Sequence, residues 1–128
     1  MAHGFFSSEE DDQGRPVRWT APEAVFALNA ETSLMRMFVS CPRPDLDRRP
    51  AHVQVFNAER KIGGFDIMGY QDKPYVLKIP EELRGRPALY RLAAAPAWRP
   101  SETMDCSDDR LLGILFQRID TRAEDRQP

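Results

Sequence analysis

Eleven prolines are scattered along this 128-residue chain, and they constrain its fold more than any other feature. Proline breaks the interior of a helix and is kept out of central strands, because it lacks the backbone N–H that both structures use. Since the prolines are dispersed rather than clustered, they divide the chain into short pieces and argue against long helices. At most one short helical turn is expected, at 80–86, where proline begins the segment and glycine lies near its end.

The segments between the prolines have the alternating or uniformly apolar pattern of short β-strands. In 52–57, Val53 and Val55 share one face, and in 61–68 the alternation slips by one residue at Gly63 and Gly64, which indicates a β-bulge. About eight short strands, with turn signals roughly every 8–12 residues, are typical of a sandwich or barrel. The sequence predicts an all-β antiparallel β-sandwich with strands at 15–20, 24–28, 34–41, 52–57, 61–68, 75–79, 88–94 and 111–119.

Length and charge narrow the class of protein. A chain of this size is typical of one domain, and we expect a single domain over 1–128 with polar terminal segments at 1–14 and 120–128. The 18 basic and 20 acidic residues give a formal net charge of −2, whereas nucleic-acid binders usually carry a basic excess. No apolar run reaches the roughly 20 residues of a membrane span, and no signal peptide is recognisable. We therefore expect a cytoplasmic protein with no nucleic-acid partner and no membrane insertion.

The residues that usually carry catalysis or metal binding are few and dispersed. His3 lies in the N-terminal segment and His52 begins a predicted strand, so the sequence gives no sign of a nucleophilic triad. Cys41 and Cys106 lack the close Cys and His spacing of a zinc site, and whether they pair stays open. Phosphate-binding glycine motifs are absent from the sequence. We expect a protein that is not an enzyme and that uses no cofactor and no metal.

An acidic loop precedes the last predicted strand. It contains Asp105, Asp108 and Asp109, with Glu102 nearby. Oxygen-rich loops can bind calcium, but the ligand spacing of an EF-hand is absent here. A structural loop is favoured, in which Asp108 or Asp109 caps a turn through its side-chain oxygens. Cation binding at 105–109 stays an open alternative.

The large amphipathic side chains supply the candidate binding site. Exposed Trp and Tyr rings can stack on sugars while neighbouring polar groups bind the hydroxyls. Trp98 is the strongest candidate, because it lies in a proline-bounded loop beside Arg99 and the acidic loop. The alternative is that Trp98 covers one end of the core, as is expected of Trp19. The predicted ligand-binding residues are Trp98, Arg99, Asp105 and Tyr70.

Several short motifs occur in a recognisable order. They are G-F-F-x-x-E from Gly4, R-x-V-R-W-T at 15–20, V-x-V-F-N at 53–57, I-G-G-F at 62–65 and D-D-R-x-L-G-I at 108–114. This order resembles a β-sandwich accessory domain found beside bacterial glycosyltransferases of surface-polysaccharide assembly. The resemblance implies a non-catalytic, jelly-roll-like module that binds glycan or positions an enzyme. The sequence departs from it by having Ala58 and Glu59 where a hairpin Asn-Gly is expected, and these 128 residues include no transferase domain.

The leading functional prediction is a non-catalytic accessory or carbohydrate-binding-like module of bacterial cell-surface polysaccharide biosynthesis. Its expected partner is a glycan, a glycosyltransferase or an envelope-assembly protein. The first alternative is a protein–protein adaptor with no sugar ligand, which predicts a flat apolar patch or an unpaired edge strand. The second is a small enzyme on a sandwich scaffold, which requires titratable groups that converge in a pocket.

Overall fold

The computed structural model describes residues 2–30 and 33–121, which are mostly antiparallel β-structure. They include a 3-10 turn, Glu81–Leu83, and a short helix, α1 (Pro100–Thr103). No helix in this described part of the chain is long and apolar enough to cross a membrane. The strands are β1 (Ala2–Phe5), β2 (Glu9–Glu10), β3 (Pro16–Asn29), β4 (Leu34–Ser40), β5 (Ala51–Asn57), β6 (Arg60–Ile67), β7 (Tyr75–Lys78), β8 (Pro87–Ala95) and β9 (Leu115–Asp120).

Across the described residues, nine strands form one sheet in the order β6-β5-β8-β3-β9-β4-β7, and β1 and β2 also pair with β3. The two end strands approach each other, because the ring of Phe65 in β6 stacks on that of Tyr75 in β7 with centroids 4.3 Å apart. Gly63 makes room for Leu77 beside this stack, since a Cβ on Gly63 would lie 2.9 Å from Leu77 Cδ2. The sheet is therefore nearly closed. The all-β antiparallel prediction is confirmed, whereas the sandwich and jelly-roll arrangements are not.

Strand β3 is continuous where two strands were predicted, at 15–20 and 24–28. Its first half pairs with β9 at Arg18 and Trp19, and its second half pairs with β8 from Glu23 onward. Pro22 lies between these two halves and pairs with neither β8 nor β9. Its missing N–H therefore costs no hydrogen bond of either ladder. The prediction that proline ends the strand here is wrong, because the strand changes partners at that point.

The N-terminal segment forms two short strands that the sequence analysis did not predict. Phe5 pairs with Thr20 through β1, and Glu9 pairs with Val17 through β2. Residues of low strand propensity can adopt this conformation because β3 supplies the hydrogen-bonding partner. The ring of Phe5 packs edge-on against Phe116, with centroids 5.3 Å apart, so an aromatic side chain anchors β1.

Most of the other local predictions are confirmed. The bulge lies in the β5–β6 hairpin, where Val55 pairs with Gly63 but Phe56 pairs with Lys61, so that Ile62 is the extra residue. The apolar side chains that alternate along β4 and β5 are buried in the core, where they meet side chains from β7 and β8. These core residues are Met35, Met37, Val53, Val55, Leu77 and Leu92. The last strand begins at Leu115 rather than at 111.

Two predictions about the loops need correction. At most one helical turn was expected, but the structure has α1 in addition to the 3-10 turn. Pro100 occupies the first position of α1, and the Met104 N–H donates to the Pro100 carbonyl. The proline-rich, charged sequence at 42–50 predicts an exposed loop, and most of the loop is exposed, but Arg43 in it is only 4% exposed. Its guanidinium donates to the Asp45 carboxylate and to the Arg49 carbonyl, which allows the charge to be buried.

Candidate functional site

A cleft of about 690 Å³ opens on the outer surface of the sheet. Its walls come from the turn between β2 and β3, the strands β4 and β9, and the loop between β6 and β7. The volume lies within the range of small-ligand sites, about 300–1,000 Å³. We call it the Tyr70 cleft and define it by its polar and aromatic lining: Asp11, Asp12, Gln13, Arg15, Phe38, Ser40, Tyr70, Gln71, Asp72, Lys73, Gln117 and Arg118.

The floor of the Tyr70 cleft lies over a bulge in the pairing of β4 with β9. Phe38 pairs with Arg118 and Val39 pairs with Phe116, so Gln117 is the extra residue. Bulges re-aim side chains and occur often beside functional sites. The Arg118 guanidinium lies over the Phe38 ring at 3.8 Å and donates to Asp120 at 3.0 Å. The ring and the carboxylate together hold this guanidinium in place.

One wall is a turn organised by Asp11. Its Oδ1 accepts hydrogen bonds from the backbone N–H groups of Gln13 and Arg15, each at 2.9 Å, and its Oδ2 accepts from Arg15 Nε at 2.8 Å. The D-D-Q-G sequence favours this turn, because Asp bonds to its own backbone and Gly14 adopts a φ of +76°. The hydrogen bond from the Arg15 N–H is the main cause that lowers the pKa of Asp11. Asp11 is therefore a charged support of the wall.

The opposite wall is the loop that carries Tyr70. The side chain of Tyr70 is 75% exposed at the mouth of the cleft. Its hydroxyl interacts with the Asp72 carboxylate, which raises the pKa of the phenol, and with the Arg15 guanidinium, which lowers it. The Gln71 amide donates to the Lys73 carbonyl at 2.9 Å and shapes the rest of the loop. The aromatic face of Tyr70 is thus open to solvent while its hydroxyl is engaged.

The Tyr70 cleft is lined by three cationic side chains and three carboxylates. Two of them, Lys73 and Asp12, form no hydrogen bond or ion pair with any other described residue. The others are engaged with each other, with Tyr70 or with Asp120. The cations are Arg15, Lys73 and Arg118, and the carboxylates are Asp11, Asp12 and Asp72.

The structure places only one of the four predicted ligand-binding residues, Tyr70, in this cleft. Trp98 is 5% exposed, packs edge-on against Trp19 and donates its indole N–H to the Gly113 carbonyl at 3.2 Å. Trp98 is therefore a buried residue, as the alternative to ligand stacking requires, and its ring is not open to a ligand. Arg99 donates to the Asp109 carbonyl at 3.1 Å, and Asp105 is exposed in the loop beyond α1. These three residues lie outside the lining of the Tyr70 cleft.

The structure also bears on the predictions for the acidic loop and for the two cysteines. Asp108 accepts from the Arg110 N–H at 3.1 Å and pairs with the Arg110 guanidinium at 2.7 Å, which lowers the pKa of the carboxyl. The turn-capping interpretation of Asp108 is confirmed. Across the described residues, no group of three or more His, Cys, Asp or Glu side chains could hold a metal ion. Cys41 and Cys106 are both free thiols, the first buried and the second exposed, so they do not pair.

Comparison of the chain with models of known protein families, with curated proteins and with solved structures finds no match. The resemblance to a glycosyltransferase-associated domain therefore stays an expectation from the motifs.

Proposed function

We propose that this protein is a non-catalytic saccharide-binding module whose ligand lies in the Tyr70 cleft. The observation that carries the proposal is the exposed ring of Tyr70 at the mouth of a cleft with fixed polar walls. A pyranose presents apolar C–H faces and polar hydroxyl edges, so it needs one open aromatic face and several oriented polar groups. Tyr70 supplies that face.

The remaining lining supplies groups for the hydroxyl edges. The amides of Gln13, Gln71 and Gln117 each offer both donors and acceptors, as a sugar hydroxyl requires. The bulge directs Gln117 from the floor, and the Asp11 turn places Gln13 on the wall. A ligand between them contacts Tyr70 on one face and polar groups along its edges.

The proposed setting is bacterial cell-surface polysaccharide biosynthesis in the cytoplasm, beside a glycosyltransferase or an envelope-assembly protein. The support for this setting is the motif resemblance. Support for binding rather than catalysis comes from the carboxylates, since Asp11 accepts three hydrogen bonds and Asp72 interacts with Tyr70. The two histidines, His3 and His52, lie outside the cleft lining.

The adaptor alternative has less support from the surface. It predicts a continuous apolar patch, whereas Val76 and Leu89, both about half exposed, lie on β7 and β8, which are not neighbours in the sheet. Single exposed apolar side chains are normal on a protein surface. The end strands are also packed together through Phe65 and Tyr75 rather than open.

A glycan array followed by a binding titration tests the proposal. The critical variant is Tyr70→Ala, and the matched control is Met68→Ala, because Met68 is 66% exposed in the same loop but does not line the cleft. We expect Tyr70→Ala to weaken binding about tenfold, since an aromatic contact contributes about 0.5–1.5 kcal/mol beyond its buried area. The Met68 variant should bind as the parent does.

Three results would contradict the proposal. The first is binding to no glycan, and the second is equal binding by the Tyr70→Ala variant and the parent. The third is release of a shorter product from a bound oligosaccharide, which would make the cleft an active site and favour the small-enzyme alternative.

A further inference from the structure

We infer that the Tyr70 cleft selects a saccharide unit carrying one acidic group, a carboxylate or a phosphate. The inference deepens the proposed function and rests on it. The observation behind it is the availability of two cations: Lys73 has no partner among the described residues, and Arg118, which lies over Phe38, bonds to Asp120 through one nitrogen only.

The charged acceptors of the cleft, its carboxylates, are largely occupied. Both oxygens of Asp11 accept hydrogen bonds from the turn, and Asp72 interacts with the hydroxyl of Tyr70. Asp12 is the lining carboxylate that has no partner among the described residues. A ligand hydroxyl therefore meets few open charged acceptors.

The donors are more available. Lys73 is exposed and its ammonium group has no partner among the described residues. Arg118 uses Nη1 for Asp120 and rests its plane on Phe38, so its orientation is fixed while its remaining N–H groups are uncommitted. A stacked guanidinium is well suited to carboxylates and phosphates, because it presents a planar row of donors with little orientational freedom left to lose.

The cleft suits one acidic group rather than a polyanion. The lining holds as many carboxylates as cations, and the whole chain has a formal net charge of −2. Long-range attraction is therefore weak, and selection must come from direct contact with Lys73 and Arg118. Binding of the acidic ligand should show only a shallow dependence on salt.

The experiment compares dissociation constants for three probes of equal size, which carry no acidic group, one carboxylate or one phosphate: galactose, galacturonate and galactose phosphate. We expect at least one acidic probe to bind about tenfold more tightly than its neutral counterpart, because a hydrogen bond to a charged group contributes more than one to a hydroxyl. The two acidic probes distinguish a carboxylate from a phosphate. Lys73→Gln and Arg118→Gln should each reduce the ratio of neutral to acidic dissociation constants, and Asp12→Asn should increase it.

Arg91→Gln is the matched control. The Arg91 guanidinium lies over the Phe56 ring at 4.2 Å and pairs with Glu23 at 3.5 Å, so it has the same surroundings as Arg118 but lies outside the cleft. Its replacement should leave the ratio unchanged. The Lys73 side chain forms no hydrogen bond or ion pair with another described residue, so its variant keeps the test decisive even if Arg118→Gln unfolds.

The possible failures are distinguishable. If galactose binds as tightly as both acidic probes, the inference is wrong and the saccharide-binding proposal stands. The inference is also wrong if the acidic preference survives in both Lys73→Gln and Arg118→Gln. If none of the three probes binds, the inference falls together with the proposed function for this class of sugar.

Discussion

Gly113 is the residue whose replacement should disturb the fold most directly. It is buried in the segment that leads into β9, and its N–H donates to the Thr20 carbonyl at 2.7 Å. A Cβ on Gly113 would lie 2.6 Å from the Ala21 carbonyl oxygen and 2.7 Å from Thr20 Oγ1. Carbon and oxygen do not approach so closely without displacement, and the first of these atoms belongs to the backbone. Gly113→Ala therefore forces two buried segments apart.

The expected cost follows from two effects. Overpacking a core by one methyl group costs about 1–3 kcal/mol. Separation of the segments also weakens the bond from Gly113 to Thr20 and the bond from the Ile114 N–H to Thr20 Oγ1, now at 3.1 Å, and a buried hydrogen bond contributes about 1 kcal/mol. We expect Gly113→Ala to lower the free energy of unfolding by about 2–4 kcal/mol.

Urea unfolding, followed by circular dichroism, measures this change. The matched control is Gly69→Ala, because a Cβ on Gly69 meets nothing within 4 Å. This control should keep the parental stability or gain less than about 1 kcal/mol. The reasoning is refuted if Gly113→Ala unfolds at the same urea concentration as Gly69→Ala.

Two further predictions concern a buried hydroxyl and an exposed carboxyl. The Tyr90 hydroxyl is buried with no hydrogen-bond partner among the described residues, so Tyr90→Phe should keep the stack on Phe26 and leave the free energy of unfolding unchanged or higher by about 1 kcal/mol. A clear loss in urea unfolding would show that the hydroxyl has a partner. The Arg15 N–H lowers the pKa of Asp11 below its ordinary 3.8, so the Asp11 turn should persist above that pH and open as pH falls through the lower, folded-state pKa. An NMR titration of the Asp11 carboxyl with a midpoint at or above 3.8 would contradict this.

The strands could be predicted because their patterns are local. In β5, Val53 and Val55 alternate with exposed residues, and the structure buries both. The bulge near Gly63 left a phase slip that is visible in the sequence. The continuity of β3 through Pro22 left no such mark, because it depends on which strands pair on either side of that residue.

The binding site was much harder to predict from the sequence. The Tyr70 cleft joins the Asp11 turn, β4, the Tyr70 loop and β9, which are distant along the chain. Gln117 reaches the floor through the register of β4 on β9, and no pattern of residue types reveals that register. The sequence left open whether Trp98 is an exposed loop residue or a core residue, because its bridge to Leu112, which helps to bury it, forms only in the folded chain.

The most direct test of the account is a map of which backbone amides respond to a saccharide. A titration of the labelled protein with galactose and with galacturonate, followed by ¹H–¹⁵N NMR, reports every amide at once. The account predicts that the largest shifts occur at 11–15, 70–73 and 117–118, the walls and floor of the Tyr70 cleft. Shifts concentrated at 98–109, around Trp98 and the acidic loop, or no shifts with either sugar, would contradict it.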